Sequence, residues 1–134
     1  MRQRSTSRGS REGFLEMTKI MIVDDSLFMR NRLDKLLTKH GYETTMACDG
    51  VEAVRAFAES RPDVVLMDIT MPRKDGLEAL AEIRKLDVTS AVIMLTALDQ
   101  PQLASQAILA GAKDFLTKPV QLGQLLRSLE KAMG

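Results

Sequence analysis

Short apolar runs alternate with helical patterns of apolar and polar residues from Lys19 to the end of the chain. The runs are rich in Val, Ile, Leu and Met and are bounded by polar, Gly or Pro residues, which is typical of strands buried in a sheet. They predict five strands, at residues 20–23, 42–47, 64–67, 91–95 and 115–116. The run at 64–67 leads directly into the carboxylate of Asp68.

Apolar residues between and after these runs recur at intervals of three and four, which predicts five amphipathic helices. The pattern is clearest in the last helix, in which one face carries Leu122, Leu125, Leu126, Leu129 and Met133. The four earlier stripes begin at Met29, Val51, Ala79 and Leu103. Glycines that follow the first and fourth stripes are typical helix stops.

Five strands that alternate with five helices predict an α/β fold, a doubly wound parallel sheet with helices on both faces and right-handed crossovers. The length of 134 residues fits one domain with a sizeable core, which we assign to residues 17–134. Residues 1–16 are rich in Arg, Ser and Gly and show no periodicity. We interpret them as a disordered arm or an added leader, with Met17 as the natural first residue.

The composition excludes several classes of protein. Apolar residues make up 45% of the chain and the net charge is +1, which gives no general reason to expect nucleic acid or a membrane as partner. A single cysteine, Cys48, excludes an internal disulfide or a multi-cysteine zinc site and suits a reducing cytoplasm. No apolar run approaches the roughly 20 residues of a membrane helix. We therefore expect a cytoplasmic domain.

Polar side chains follow four of the predicted strands. Asp24 and Asp25 follow the first strand, Asp68 the third, Thr96 the fourth and Lys118 the fifth. Because ligands of an open parallel sheet bind at the carboxyl ends of its strands, these groups share one crevice. Three close carboxylates repel one another, and a hard cation such as Mg²⁺ relieves that repulsion. A metal, a carboxylate nucleophile and a cation that holds an anion are the parts of phosphoryl transfer.

Each of these residues also has a purely structural interpretation. Asp24 alone is more readily a loop acid or a helix cap, Thr96 a turn residue, and Lys118 a solvated surface cation. Phe115 alone is most simply a strand residue that packs in the core. The placement of several such groups at successive strand ends is what favours a functional site.

Four segments together resemble the response-regulator receiver domains of the CheY-like superfamily: Asp24-Asp25-Ser26, MDITMPRKDGLE around Asp68, LTA at 95–97 and KDFLTKP at 113–119. The resemblance covers residues 17–134 and is greatest for stand-alone, chemotaxis-type receivers. It implies a flavodoxin-like (CheY-like) sheet with the strand order 2-1-3-4-5.

The resemblance also implies a role for each acidic residue. Asp68 would be the phosphoacceptor, which attacks the phosphoryl group of a histidine kinase's phosphohistidine or of a small donor such as acetyl phosphate. Asp25 and Asp68 would ligate Mg²⁺ directly, Asp24 would act through water, and the main-chain carbonyl of Thr70 would complete the protein ligands.

The remaining site residues would bind and report the phosphoryl group. Lys118 would pair with its oxygens, after a cis bond to Pro119, and Thr96 would swing inward to hydrogen-bond to it. Ala97 would keep the approach open, and Phe115 would follow Thr96 from an outward to an inward rotamer. The surface of the fourth helix, fifth strand and fifth helix would then change its affinity for a downstream protein target.

The chain departs from the family pattern in ways that bear on signalling. Phe115 stands where many chemotaxis-type receivers carry Tyr, so a signal that needs a phenolic hydroxyl is absent. Thr70 and Leu98 occupy positions that tune the lifetime of the acyl phosphate, and the apolar Leu98 predicts slow self-dephosphorylation. We expect a phosphoacceptor switch with intrinsic autophosphotransfer ability, and no separate substrate.

The predicted function is that of a two-component response regulator, with a cognate histidine kinase, a downstream target and a phosphatase as candidate partners, as a monomer or a phosphorylation-dependent dimer. One alternative is a receiver domain from a larger regulator, such as a transcription factor or an output enzyme. A Mg²⁺-dependent phosphatase is less favoured, because Thr70 stands where that class usually has a second acid. A nucleotide-binding protein is less favoured still, because no Gly-rich loop follows the first strand.

Overall fold

The computed structural model of the protein describes residues 17–97 and 100–134. The predicted alternation of strands and helices is confirmed in this part of the chain. In order, the elements are β1 (Lys19–Val23), α1 (Leu27–Lys39), β2 (Glu43–Ala47), α2 (Gly50–Ser60), β3 (Val64–Asp68), α3 (Gly76–Leu86), β4 (Val92–Thr96), α4 (Pro101–Leu109), β5 (Asp114–Thr117) and α5 (Leu122–Met133).

The strands form one parallel sheet with the order β2-β1-β3-β4-β5, which confirms the order implied by the resemblance. The register brings the carboxyl ends of the inner strands level with one another, since Val23 pairs with Met67 and Asp68 pairs with Leu95. β3 and β4 each end one residue later than predicted, because pairing continues through Asp68 and Thr96. Asp68 and Thr96 are therefore the last residues of their strands, at the carboxyl edge of the sheet.

The helices cover both faces of the sheet and bury its alternating side chains. On one face, Met21, Val65 and Met67 pack in a cluster with residues of α2, α3 and α4, including Phe57 and Leu80. The opposite face of the sheet packs against α1 and α5 in a cluster that contains Ile20, Ile22, Leu33, Leu66, Ile93, Leu125 and Leu129. Each large side chain buried in this way contributes about 1.5–3 kcal/mol to stability, so the sheet is a rigid platform for its loops.

Side-chain caps fix the loops at the carboxyl edge of the sheet. Ser26 caps α1, Asp49 caps α2, and Asp75 forms a capping box with Glu78 at the start of α3. Such caps satisfy the free N–H groups of the first helical turn and contribute about 1 kcal/mol each. None of the helices within residues 17–97 and 100–134 has the length and apolar character needed to cross a membrane.

Candidate functional site

Three carboxylates meet at the carboxyl edge of the sheet. Asp24 and Asp25 lie in the loop that links β1 to α1, and Asp68 is the last residue of β3. Each offers an oxygen atom within 4.8 Å of the others. Carboxylate oxygens are the donors that Mg²⁺ prefers, and their mutual repulsion favours a cation among them. The residues present therefore fit a divalent metal ion.

Lys118 joins two of these carboxylates. Its Nζ atom lies 3.2 Å from Oδ2 of Asp24 and 3.2 Å from Oδ2 of Asp68. The backbone N–H of Lys118 donates to the carbonyl oxygen of Thr96 at 2.8 Å, which ties the start of the β5–α5 loop to the end of β4. The Lys118–Pro119 peptide bond is cis, as the resemblance implies. The ammonium group is thus held beside the acidic cluster.

Asp24 is the most enclosed of the three acids. It is 1% exposed, and its Oδ1 atom accepts a hydrogen bond from the backbone N–H of Ser26 at 2.9 Å. The Arg30 guanidinium donates to the main-chain oxygen of Asp24 at 2.7 Å. Asp25, by contrast, is exposed. These contacts engage Asp24 within the protein and leave Asp25 accessible to a ligand from solvent.

The environment of Asp68 disfavours its charged form. Burial raises the pKa of Asp68, and the neighbouring Asp24 carboxylate raises it further; the nearby charge of Lys118 offsets only part of this increase. For Lys118, burial lowers the pKa, but the charges of Asp68 and Asp24 outweigh that effect and raise it overall. The lysine is therefore charged, and the pocket still holds a carboxylate that gains from additional positive charge.

The residues expected to sense a phosphoryl group lie in β4 and β5 or just after the ends of β3 and β4. Thr96 is buried, and its hydroxyl makes a long 3.4 Å hydrogen bond to the carbonyl oxygen of Ala97. Phe115 lies on the edge strand β5 and is 40% exposed, which contradicts the alternative of a plain core residue. Thr70 and Ala97 are both exposed next to the site. Leu98 and residues 1–16 lie outside the described part of the chain.

Sequence reasoning missed the contacts that hold the β3–α3 loop, residues 69–75. Gly76 is required directly after this loop, at the start of α3, because a Cβ atom at this position would lie 2.2 Å from the carbonyl oxygen of Asp68. The same loop reaches the N-terminus of α2, where Arg73 forms an ion pair with Asp49. The Asp-Gly pair before a helical stripe signals the cap of α2, but no local pattern indicates its partner in the other loop.

Comparison with known proteins agrees with this geometry. A family model described as "Response regulator receiver domain" matches residues 20–130. Chemotaxis protein CheY of Listeria monocytogenes is 44% identical over 117 residues, which are 87% of this chain and 98% of that protein. Chemotaxis protein CheY of Thermotoga maritima is also 44% identical, over 84% of this chain and 95% of its own length. The solved CheX-CheY-BeF3-Mg+2 complex from Borrelia burgdorferi matches with a TM-score of 0.83 and 34% identity, over 87% of this chain and 90% of that one.

The chain belongs to the response regulator receiver family. It is a two-component response regulator with a flavodoxin-like receiver fold. The match covers nearly the whole length of both chemotaxis relatives, so the stand-alone, CheY-like interpretation fits better than that of a receiver from a larger regulator.

Proposed function

We propose that Asp68 is the residue at which this response regulator is phosphorylated. The observation that carries the proposal is the position of its carboxylate, at the end of the fully buried strand β3 and 3.2 Å from the Lys118 ammonium group. Asp24 and Asp25 provide further carboxylate oxygens within 4.8 Å. A nucleophile, a fixed cation and a cation-binding cluster in one crevice support phosphoryl transfer to this carboxylate.

The metal in this proposal is Mg²⁺. Asp25 and Asp68 bind it directly, Asp24 binds it through water, and the main-chain carbonyl of Thr70 completes the protein ligands. When bound, the ion neutralises charge on the phosphoryl oxygens. The contacts of Asp24 with Ser26 and Lys118 support its indirect role, because both of its carboxylate oxygens already have partners.

In the proposed step, a carboxylate oxygen of Asp68 attacks the phosphorus of a histidine kinase's phosphohistidine. The new O–P bond forms as the N–P bond breaks, and the imidazole nitrogen keeps the bonding electron pair. A small donor such as acetyl phosphate reacts in the same way, with an acetate oxygen as the leaving atom. Lys118 binds the transferred oxygens, since an ammonium group stabilises the anionic phosphoryl group.

The phosphoryl group adds about −1.5 to −2 charge and three acceptor oxygens. We propose that the Thr96 hydroxyl turns to donate to one of them and that the small Ala97 leaves the approach free. The present hydrogen bond of the Thr96 hydroxyl is long and therefore weak, so little free energy is lost when it breaks. Phe115 then moves from its exposed position towards the space beside Thr96, which changes the surface formed by α4, β5 and α5.

Partners and lifetime follow from the same proposal. The chemotaxis relatives support a cognate histidine kinase as donor and a protein target for the α4–β5–α5 surface. The solved complex of a related CheY with CheX, BeF3 and Mg+2 supports a partner that recognises the activated form. We place this regulator in the cytoplasm, as a monomer or a phosphorylation-dependent dimer. We also propose slow self-dephosphorylation, because Leu98 is apolar, with a phosphatase as a further partner.

The test is phosphorylation by acetyl phosphate with Mg²⁺, read by intact mass. The wild type gains one phosphoryl group, and Asp68→Asn gains none. Asp63→Asn, which removes an exposed acid just before the opposite end of β3, behaves as the wild type. Beryllofluoride, which binds without a covalent transfer, perturbs the NMR signals of the wild type and not those of Asp68→Asn. Equal modification of wild type and Asp68→Asn would show that another residue is the acceptor, and a phosphoprotein that decays within a few seconds would contradict the slow hydrolysis.

A further inference from the structure

The β3–α3 loop is attached to the N-terminus of α2 by contacts that lie outside the acidic cluster. The backbone N–H of Gly50 donates to the carbonyl oxygen of Lys74 at 3.0 Å. Arg73 adds two hydrogen bonds to Oδ2 of Asp49, from Nη2 at 2.5 Å and from Nε at 2.9 Å. The loop that follows Asp68 is therefore attached to the N-terminus of α2, outside the acidic cluster.

The anchor on the α2 side is itself fixed. Asp49 is 5% exposed, and its Oδ1 atom accepts the backbone N–H of Glu52 at 2.9 Å as the N-cap of α2. Its second oxygen faces Arg73. An enclosed carboxylate needs a cation close to it, and a planar guanidinium that donates twice to one carboxylate has a defined orientation. The pair therefore restrains Arg73, although 61% of the Arg73 side chain is exposed.

The backbone of Arg73 has an uncommon conformation at the site of this restraint. Its φ angle is +66°, in the left-handed region that a residue with a Cβ atom rarely adopts. The ion pair with Asp49 restrains the side chain of this same residue. Thr70 lies between that turn and the end of β3, and it is exposed. Its main chain is therefore positioned from two sides, by the sheet at Asp68 and by the ion pair at Arg73.

We propose that Asp49 and Arg73 are positioning residues for the metal site. Their ion pair holds the β3–α3 loop in the path that presents the Thr70 carbonyl oxygen to the cation. This inference rests on the proposed function, in which that carbonyl ligates Mg²⁺. It assigns a role in metal affinity to two side chains that are not metal ligands.

Calorimetric titration of the full chain with MgCl₂ tests the proposal. Arg73→Ala is expected to raise the Kd for Mg²⁺ about tenfold, as is typical when a group that orients a metal ligand is lost. Arg73→Lys keeps the charge but not the paired hydrogen bonds, and gives an intermediate Kd. Lys74→Ala is the matched control: it removes the neighbouring cation, which pairs with Glu82 of α3, and leaves the Kd within about twofold of wild type.

A double-mutant cycle tests whether the two residues act together. Asp49→Asn keeps an oxygen that can cap α2 but loses the charge that Arg73 binds. It is expected to weaken Mg²⁺ binding as Arg73→Ala does, and the double variant to bind no more weakly than either single variant. Effects that multiply in the double variant would overturn the proposed pairing.

Amide hydrogen exchange of the metal-free protein gives a readout that does not depend on Mg²⁺. In Arg73→Ala the amides at positions 70, 71, 73 and 74 are expected to exchange faster, while those of Leu66 and Ile93 in the sheet keep the wild-type rate. Uniformly faster exchange would show a general loss of stability and overturn the positioning role. So would an unchanged Kd in Arg73→Ala when the wild type binds Mg²⁺ normally. A wild type that takes up no Mg²⁺ would instead overturn the proposed function, and the positioning role with it.

Discussion

Lys118 lies beside Asp68 with its Nζ atom 3.2 Å from the Oδ2 atom of the carboxylate, and it lies equally close to Asp24. This ammonium group is a counter-ion for the two acids. The same group is proposed to bind the phosphoryl oxygens once Asp68 is modified. Lys118 is therefore expected to oppose metal binding and to favour anion binding. A substitution of Lys118 should change these two affinities in different ways.

We expect Lys118→Met to change the two affinities in opposite directions. Without the ammonium group, Asp24 and Asp68 repel each other more strongly, so Mg²⁺ binds at least as tightly as in the wild type. Beryllofluoride binding in the presence of Mg²⁺ weakens about tenfold or more, which corresponds to the loss of about 1.4 kcal/mol from a charge-assisted hydrogen bond. Calorimetric titration measures the affinity for Mg²⁺, and NMR titration measures the affinity for beryllofluoride.

Lys113→Met is the control for this prediction, because Lys113 is an exposed lysine just before β5, at the opposite edge of the sheet. It should leave both affinities unchanged. A Lys118→Met variant that loses Mg²⁺ and beryllofluoride binding together would indicate that Lys118 organises the whole site, rather than binding the anion.

Gly76→Ala tests how closely the start of α3 must pack behind Asp68. The added Cβ atom would lie 2.2 Å from the carbonyl oxygen of Asp68 and 2.8 Å from Cα of Ile69. Since both neighbours are backbone, they cannot move as a flexible side chain would. We expect a loss of about 1–3 kcal/mol in the free energy of unfolding by urea, together with weaker binding of Mg²⁺.

Gly123→Ala is a matched change in a place that has room. There the nearest neighbour of the added atom is the Arg127 side chain, at an ordinary 3.5 Å. Alanine has the higher helix propensity, so this variant of α5 should be as stable as the wild type or up to about 1 kcal/mol more stable. A Gly76→Ala protein with the stability of Gly123→Ala would contradict the tight packing behind Asp68.

The fold and the centre of the site were predictable because both depend on local patterns. Asp24 and Asp68 come directly after an apolar run, and Lys118 follows another after Thr117. Parallel strands bring such residues to one edge whatever lies between them. The ends of β3 and β4 were each predicted one residue too early, because pairing with a neighbouring strand extends them.

The ion pair between Asp49 and Arg73 could not be predicted in the same way. It joins residues 24 positions apart in two different loops, and it forms only when the sheet has brought those loops together. The roles of Thr96 and Phe115 came from the resemblance to a family and not from the pattern, since each alone is an ordinary strand residue.

The Asp49–Arg73 pair should also appear in the pH dependence of stability. The hydrogen bond from the backbone N–H of Glu52, together with the hydrogen bonds and charge of Arg73, outweighs the effect of burial and lowers the pKa of Asp49. The unfolded carboxyl group, with a pKa of about 3.9, then takes up a proton more readily than the folded one. The stabilisation is therefore complete above that pKa and is lost as the pH falls through the lower folded pKa of Asp49.

We expect Asp49→Asn to be less stable than the wild type by about 1 kcal/mol or more at pH 7, from the lost charge-assisted hydrogen bonds. The difference should narrow as the pH falls below about 4, because the wild-type carboxyl group becomes protonated there. Urea unfolding at a series of pH values measures this difference in the free energy of unfolding. Glu59→Gln, which removes an exposed acid on the same helix, provides the baseline. A difference that stays constant down to pH 2 would contradict a contribution from the charge of Asp49.

The exposure of Phe115 should report the state of the active site. In the described conformation Phe115 is 40% exposed and the Thr96 hydroxyl makes a long 3.4 Å bond to Ala97. Beryllofluoride with Mg²⁺ gives that hydroxyl a better acceptor, so the ring of Phe115 should become protected from a soluble paramagnetic probe in NMR spectra. Phe57, which is 2% exposed, provides an internal reference for a buried ring.

Substitutions of Thr96 identify the link between the two residues. Thr96→Ser keeps the hydroxyl and should keep the change at Phe115. Thr96→Ala loses the donor, so beryllofluoride should bind more weakly and, even at saturation, leave Phe115 exposed. Protection of Phe115 in saturated Thr96→Ala would show that the ring responds to the charge on Asp68 by another route, since no hydroxyl would then be present to carry the signal.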